Sequence, residues 1–277
     1  MSKTLLMLGG GLLGCVGLAA LAMSMHGGSS SPADTLLSPP PPDWHTPPAN
    51  RAAALQHEAA RTPGLEQRWT DDNKRAAANP RLRLPELLDR LVTLGFQPRI
   101  AFTWRSLATQ DDLLAKRRTT VSFSFHNAVQ DGVPAALAAD LYDARHGWGD
   151  DVHGSPKTTG ALAFFQALGA AARDLGLTWG GSWMGRPSFW SRYGIGWDPA
   201  HVQAVDNVAL AAIREATLPQ ILGPGRLVRG SGAYLYRQFG NGYLQVVDGP
   251  ALKGQLLMPH GNATAWMAIT RELGTVA

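Results

Sequence analysis

Two histidines and two carboxylates in this chain are of the types, and at the spacing, that bind an ion and hydrolyse a bond. His126 lies in Ser124-Phe125-His126 and Asp140 in Ala138-Ala139-Asp140, on two apolar runs joined by the turn sequence Gln130-Asp131-Gly132. His201 closes Asp198-Pro199-Ala200-His201, downstream of Trp179-Gly180-Gly181-Ser182-Trp183. Two imidazoles and a carboxylate suit a hydrolytic zinc site. Three protein ligands hold Zn2+, the fourth position keeps a water, and a spare carboxylate takes its proton. Asp198, on the same short segment as His201, is placed for that last role, and Pro199 biases its backbone toward an extended form. Spacing alone leaves the middle ligand open among Asp131, Asp140 and Asp143. Asp131 belongs to an Asp-Gly turn that its side chain should serve, and on a strand Asp143 points away from the face Asp140 occupies.

Taken together these pieces resemble the D-alanyl-D-alanine carboxypeptidase and L-alanyl-D-glutamate endopeptidase family, zinc peptidases of bacterial cell-wall peptides also found as phage endolysins. That family carries S-x-H-x-x-G-x-A-x-D, then W-G-G-x-W, then D/E-x-x-H, with an upstream R-S-x-x-x-Q. The corresponding stretches here are Ser124 to His126 with Ala138 to Asp140, Trp179 to Trp183, Asp198 to His201, and Arg105-Ser106 to Gln110. They fall in the family's order across roughly residues 80–205, and order is what makes short motifs specific. The resemblance implies Zn2+ held by His126, Asp140 and His201, with Asp198 as general base. It implies for Arg105 either a contact to the carbonyl oxygen or a grip on a substrate carboxylate.

One departure stands out. Val133 occupies the position where the family's pattern puts its carboxylate, so Asp140 serves only if an insertion containing Gln130-Asp131-Gly132 loops out between the ligands. Asp-Gly is a hairpin signal, which makes that excursion easy. The stretch between Trp183 and Asp198 is also long and aromatic. The implied activity is hydrolysis of peptidoglycan stem peptides, as an L-alanyl-D-glutamate-type endopeptidase or a D-alanyl-D-alanine carboxypeptidase. The alternative is a wall-binding protein that keeps the fold without catalysis.

The elements that must position these groups read as an α+β domain, a small antiparallel sheet with helices packed against it. Helix is expected around Arg51 to Ala60 and over Leu84 to Leu94, where Pro85 suits the first turn and Gly95 ends it. Pro98 to Trp104 reads as a strand and Ala108 to Lys116 as a helix. Thr119 to His126 alternates weakly and reads as a strand delivering His126, with Ala135 to Tyr142 as the return strand. An Ala-rich helix over Thr159 to Leu175 precedes a short strand at Leu177 to Trp179, and a further helix runs from about Val205 to Leu222. Residues 223–277 read as a small accessory module, either wall-binding or a terminal extension packed on the enzyme: two β runs around Gly240-Asn241-Gly242, then a helix over Thr264 to Leu273. His146 and His153, beside Asp150 and Asp151, suggest a second metal site less well than a solvated Gly-rich loop. Ser124 and Gln110 read as supporting residues, Trp179 and Trp183 as core or cleft wall.

The remaining composition bounds the setting. Hydrophobic residues make up 45% and charged residues 17%, the net charge is +4 and the pI about 9.5, with Lys and Arg scattered along the chain. That pattern argues against nucleic acid and is compatible with an anionic cell envelope. The single cysteine, Cys15, excludes an internal disulfide and a thiolate metal site. No G-x-S-x-G, G-x-G-x-x-G or P-loop is present. After Lys3 no charge appears through Met25, so residues 1–25 read as a signal peptide or signal anchor, with Leu12 to Cys15 as a less fitting lipoprotein signal. Residues 26–50, with Pro39 to Pro42, read as a stiff linker holding residues 51–222 off a membrane, on the exported side.

Overall fold

The computed structural model describes residues 49–60, 79–250 and 252–274. The N-terminal apolar segment and nearly all of the Pro-rich stretch lie outside those residues. Ala49 and Asn50, read above as the linker's end, begin the first helix. Among the described residues no helix is long and apolar enough to cross a membrane. In chain order, α1 (Ala49–Ala60) and α2 (Leu84–Thr93) precede β1 (Pro98–Phe102), α3 (Leu107–Ala115), the hairpin β2 (Val129–Gln130) and β3 (Val133–Pro134), and β4 (Ala138–Asp143). Next come α4 (Pro156–Asp174), β5 (Thr178–Trp179), β6 (His201–Gln203) and α5 (Leu210–Leu222). The chain ends with β7 (Arg226–Arg229), β8 (Leu235–Gln238), β9 (Leu244–Asp248), β10 (Leu256–Leu257) and α6 (Ala263–Gly274).

This is an α+β fold with small antiparallel sheets. The sheet that matters for the site has the order β1-β4-β6-β5, with antiparallel neighbours throughout. Alternation along β4 separates its two faces. Ala139 and Leu141 join Ile100 and Val202 in a core covered by Leu84, Leu87, Leu88 and Leu91 of α2 and by Phe164, Phe165 and Leu168 of α4. The leucine face of α2 repeats at helical spacing, and Pro85 sits in its first turn, where no N–H is needed. α4 starts at Ser155, whose hydroxyl accepts the Thr158 N–H at 3.0 Å, with Pro156 following. Asp140, between Ala139 and Leu141, is left on the opposite face, away from the helices.

The Gln130-Asp131-Gly132 insertion does loop out. β2 and β3 pair directly across Asp131 and Gly132, both at positive φ (52° and 74°), the two-residue turn that Asp-Gly favours. The expected strand over Thr119 to His126 is absent. Among the described residues no strand pairs with residues 119–126. His126 instead rides a single 3-10 turn, Phe125–Asn127, closed by Ser124 and Asn127 capping each other. β4 takes β1 and β6 as its partners, so it is the middle of the sheet rather than the return limb of a hairpin.

The C-terminal residues form a second sheet, in the order β10-β9-β8-β7, with α6 against it. The hairpin expected around Gly240 to Gly242 joins β8 to β9, and β7 and β10 extend it. A second core cluster is shared between both parts of the chain. Leu107, Phe123, Phe125 and Leu137 pack with Ile213 and Leu218 of α5 and with Phe239, Tyr243, Leu256 and Met258. Buried Asp111 of α3 also accepts backbone N–H groups from His260 and Gly261 (3.4 and 2.5 Å).

Candidate metal centre

Sheet register brings two of the anticipated ligands side by side. Asp140 pairs with His201 across β4 and β6, and with Phe102 across β4 and β1, where a bulge ends the ladder. The chain leaving β1 then supplies Thr103 and Arg105, and the 125–127 turn docks on it: Arg105 N–H donates to the His126 carbonyl at 2.9 Å, and Asn127 Nδ2 donates to the Arg105 carbonyl at 2.9 Å. His126, Asp140 and His201 are buried, at 1%, 8% and 7% exposure. Their facing atoms converge. His126 Nε2 lies 3.3 Å from His201 Nδ1 and 3.3 Å from Asp140 Oδ1, and His201 Nδ1 lies 3.0 Å from Asp140 Oδ1.

Hydrogen bonds on the far side of each ring fix which nitrogen carries a proton. His126 Nδ1 faces the Thr103 carbonyl at 2.5 Å, which only accepts, so the proton is on Nδ1 and the Nε2 lone pair points into the site. His201 Nε2 faces Gln203 Oε1 at 3.1 Å. Gln203 is held in that orientation because its Nε2 donates to the Val205 carbonyl (2.7 Å) and Asn207 Oδ1 (3.1 Å). His201 therefore donates from Nε2 and turns the Nδ1 lone pair inward. Three acceptors meet with no donor of their own between them. Zinc held at about 2.0–2.1 Å by each atom would set tetrahedral ligand atoms about 3.3 Å apart, close to the 3.0 to 3.3 Å separations observed. The donor set fits zinc, with the outer-shell acceptors such sites use.

The electrostatics follow the same geometry. Burial, with the Arg105 charge, pushes His126 down to about 4, so it is neutral near pH 7. Burial alone would raise Asp140, but the two imidazoles packed against it and the Arg105 guanidinium hold it well below the usual carboxylate range. His201 is raised: burial opposes the charge, yet Asp140, Asp198 and Gln203 outweigh it. A site that draws a proton onto His201 between three acceptors is a site that favours a cation.

Asp198 is beside this group but not in it. Its carbonyl accepts the His201 N–H at 3.2 Å, closing a turn over Pro199 and Ala200. Burial raises its carboxyl to about 6, against the opposing charges of His201, Arg105 and Arg186. Gly180 makes the close approach possible. A Cβ there would sit 2.3 Å from the Asp198 carbonyl oxygen and 3.1 Å from His201 Cβ. Arg105 is turned inward. Its guanidinium bonds Asp140 Oδ2 and lies over the Phe102 ring at 4.7 Å, so it holds the ligand's second oxygen and leaves Oδ1 facing the histidines.

The other anticipated residues fall around this centre. Trp183 lies against His201, with ring centroids 5.1 Å apart. Trp179 packs on the core and donates from Nε1 to the Pro199 carbonyl at 2.7 Å. Gln110 is buried and holds the Val121 carbonyl at 2.7 Å, and Ser124 serves the 125–127 turn. Asp131 is in its turn, and Asp143 is buried against Arg145. His153 stacks on Tyr193 and His146 packs against Gly160, so neither contributes to a second cluster among the described residues. Sequence reasoning passed over Gln203, although H-V-Q on a strand puts positions 201 and 203 on one face. It also passed over the Thr103 carbonyl and Arg186, for which no motif gives a signal.

No protein-family model matches this chain, and no curated protein does. Among solved structures it is similar to the L-Ala D-Glu endopeptidase ChiX of Serratia marcescens, over 56% of this chain and 86% of that one. The identity is 15% and the TM-score 0.31, a distant likeness that establishes neither fold nor activity.

Proposed function

We propose that this chain is a zinc-dependent peptidase acting on peptidoglycan stem peptides in the cell envelope. The observation that carries the reading is the convergence of His126 Nε2, His201 Nδ1 and Asp140 Oδ1, lone pairs inward, with the Asp198 carboxyl beside them. Zinc held there supplies a Lewis acid for a carbonyl and lowers the pKa of a water. Asp198 removes a proton from the attacking water as its oxygen bonds the carbonyl carbon, then delivers it to the amine nitrogen as the C–N bond breaks. A carboxyl poised at about 6 is suited to both transfers near neutral pH. Arg105 keeps Asp140 ionised and oriented. The Thr103 carbonyl and Gln203 keep both imidazoles in the tautomers that bind.

The choice of peptidoglycan peptides rests on the ordered motifs rather than on the site geometry, and an L-alanyl-D-glutamate-type endopeptidase is the form we favour. Digestion of purified peptidoglycan by zinc-loaded protein, read by fragment mass, tests it. New amino termini at one stem-peptide bond are expected. In Asp198→Asn, zinc should remain bound while turnover falls by roughly 100-fold or more, as for loss of a general base. Intact peptidoglycan after exposure to fully zinc-loaded protein would favour a wall-binding protein instead.

A further inference from the structure

The aromatic stretch between Trp183 and Asp198 has no counterpart in the motifs described above, yet it begins and ends at the metal centre. It builds a stack outward from a ligand. Trp183 lies on His201 at 5.1 Å, Trp197 on Trp183 at 5.3 Å, and the Arg186 guanidinium over the Trp197 ring at 4.7 Å. Arg186 also donates from Nη1 to the Thr120 hydroxyl at 3.2 Å, tying this stretch to the 116–121 segment, which Gln110 in turn holds by the Val121 carbonyl. The side chain is thus exposed but held at two points.

The other arginine at the site, Arg105, is committed to Asp140, whereas no carboxylate among the described residues lies in ion-pair range of Arg186. Its field nevertheless reaches Asp198, whose carboxyl it draws downward. Most of the five N–H donors of this guanidinium remain available in a planar fork that matches a carboxylate. A fixed cation costs less ordering on binding than a free surface arginine would.

We infer that Arg186 binds a carboxylate of the substrate and so restricts the enzyme to acidic peptides. The stack gives a range: three steps of about 5 Å separate Arg186 from His201, and an extended peptide advances about 3.5 Å per residue. The carboxylate recognised therefore lies within about four residues of the bond that is cut. This inference rests on the peptidase reading for its substrate class.

The test measures binding apart from cleavage. The probes are N-acetyl-L-alanyl-D-glutamyl-L-lysyl-D-alanine and the same peptide with every carboxylate converted to an amide, titrated by calorimetry into zinc-loaded Asp198→Asn protein. The acid peptide should bind at least tenfold more tightly than the amide. Adding Arg186→Gln should erase that preference, with amide binding unchanged. Arg192→Gln should preserve it, since Arg192 lies over Phe189 in the same stretch and not on the Trp183–Trp197 stack. A preference that survives Arg186→Gln, or no preference in the parent, overturns the inference even if wild-type protein cuts peptidoglycan. A preference that depends on Arg186 in a protein that cuts nothing upholds the carboxylate site and removes the peptidase.

Discussion

Gly180→Ala is the sharpest probe of the centre, because one methyl group would enter the space between Asp198 and His201. The added Cβ would lie 2.3 Å from the Asp198 carbonyl oxygen, 3.2 Å from Asp198 Cβ and 3.1 Å from His201 Cβ. Ordinary non-bonded contact begins near about 3.5 Å, so the gap must open by about 1 Å. The atom in the way is backbone and cannot rotate aside. It also accepts the His201 N–H, so the whole Asp198–His201 turn has to move. Overpacking of this kind costs about 1–3 kcal/mol of stability, which lowers the melting temperature and leaves the protein folded at assay temperature. A misplacement of about 1 Å at the chemistry costs about 100-fold in turnover. Gly240→Ala is the matched control, since a Cβ there meets nothing within 4 Å. Turnover of peptidoglycan and zinc affinity by chelator competition are measured on both. Wild-type values for both quantities in Gly180→Ala would refute the close packing of Asp198 against His201.

Other outcomes follow from the surrounding contacts. Gln203→Leu removes the acceptor that fixes the His201 tautomer, and zinc affinity should fall by about 10- to 100-fold; an unchanged chelator midpoint would dissociate Gln203 from the site. Asp140→Ala should lose stable zinc while Asp131→Ala keeps it, as read by plasma emission spectrometry, and the reverse result would exclude Asp140 as ligand. For Asp143, burial favours the neutral form, but hydrogen bonds from Arg145 and from the Gln97 and Arg145 N–H groups outweigh it and lower its pKa. A carboxyl lowered in the folded state stabilises above the unfolded value of about 3.9 and loses that contribution as pH falls through the folded value. Asp143→Asn should therefore melt below wild type at pH 7, with the gap closing on acidification; a gap that widens in acid would contradict the sign.

What the sequence conveyed, and what it did not, divides along physical lines. The helix ends were legible within a residue or two because their stops are local, Gly95 after α2 and Gly176 after α4, whereas α4 starts three residues before the expected Thr159 and α5 five after the expected Val205. The Asp131-Gly132 hairpin was legible for the same reason, and it explains how His126 and Asp140 meet despite the extra residues between them. His126 was misplaced onto a strand because alternation in T-T-V-S-F-S-F reports which side chains are buried, not whether the backbone has a neighbour. Phe123 and Phe125 are indeed both buried in the second core, but the Asn127 N–H turns back to the Ser124 carbonyl, and the Phe125 and His126 carbonyls accept from Leu137 and Arg105 rather than from a paired strand. The inward set of Arg105 depends on which oxygen of Asp140 faces the histidines, a fact of register that no motif encodes. The proton positions on the two imidazoles depend in turn on a backbone carbonyl and a glutamine rotamer.

The core shared by α3, α5 and the second sheet has a consequence for how this protein is divided in the laboratory and in evolution. A chain ended after Leu222 would present Leu107, Phe125, Ile213 and Leu218 to water on the side where Phe239, Tyr243, Leu256 and Met258 now sit. It would also leave the buried Asp111 carboxylate without the two backbone donors it receives from His260 and Gly261. An uncompensated buried charge and an uncovered apolar face together exceed what a marginally stable domain tolerates. Residues 223–274 are thus a staple on the body that carries the candidate metal centre, rather than cargo trailing behind it. A protease cut in the loops of the second sheet should loosen the 125–127 turn, and with it the grip on His126, some distance from the cut.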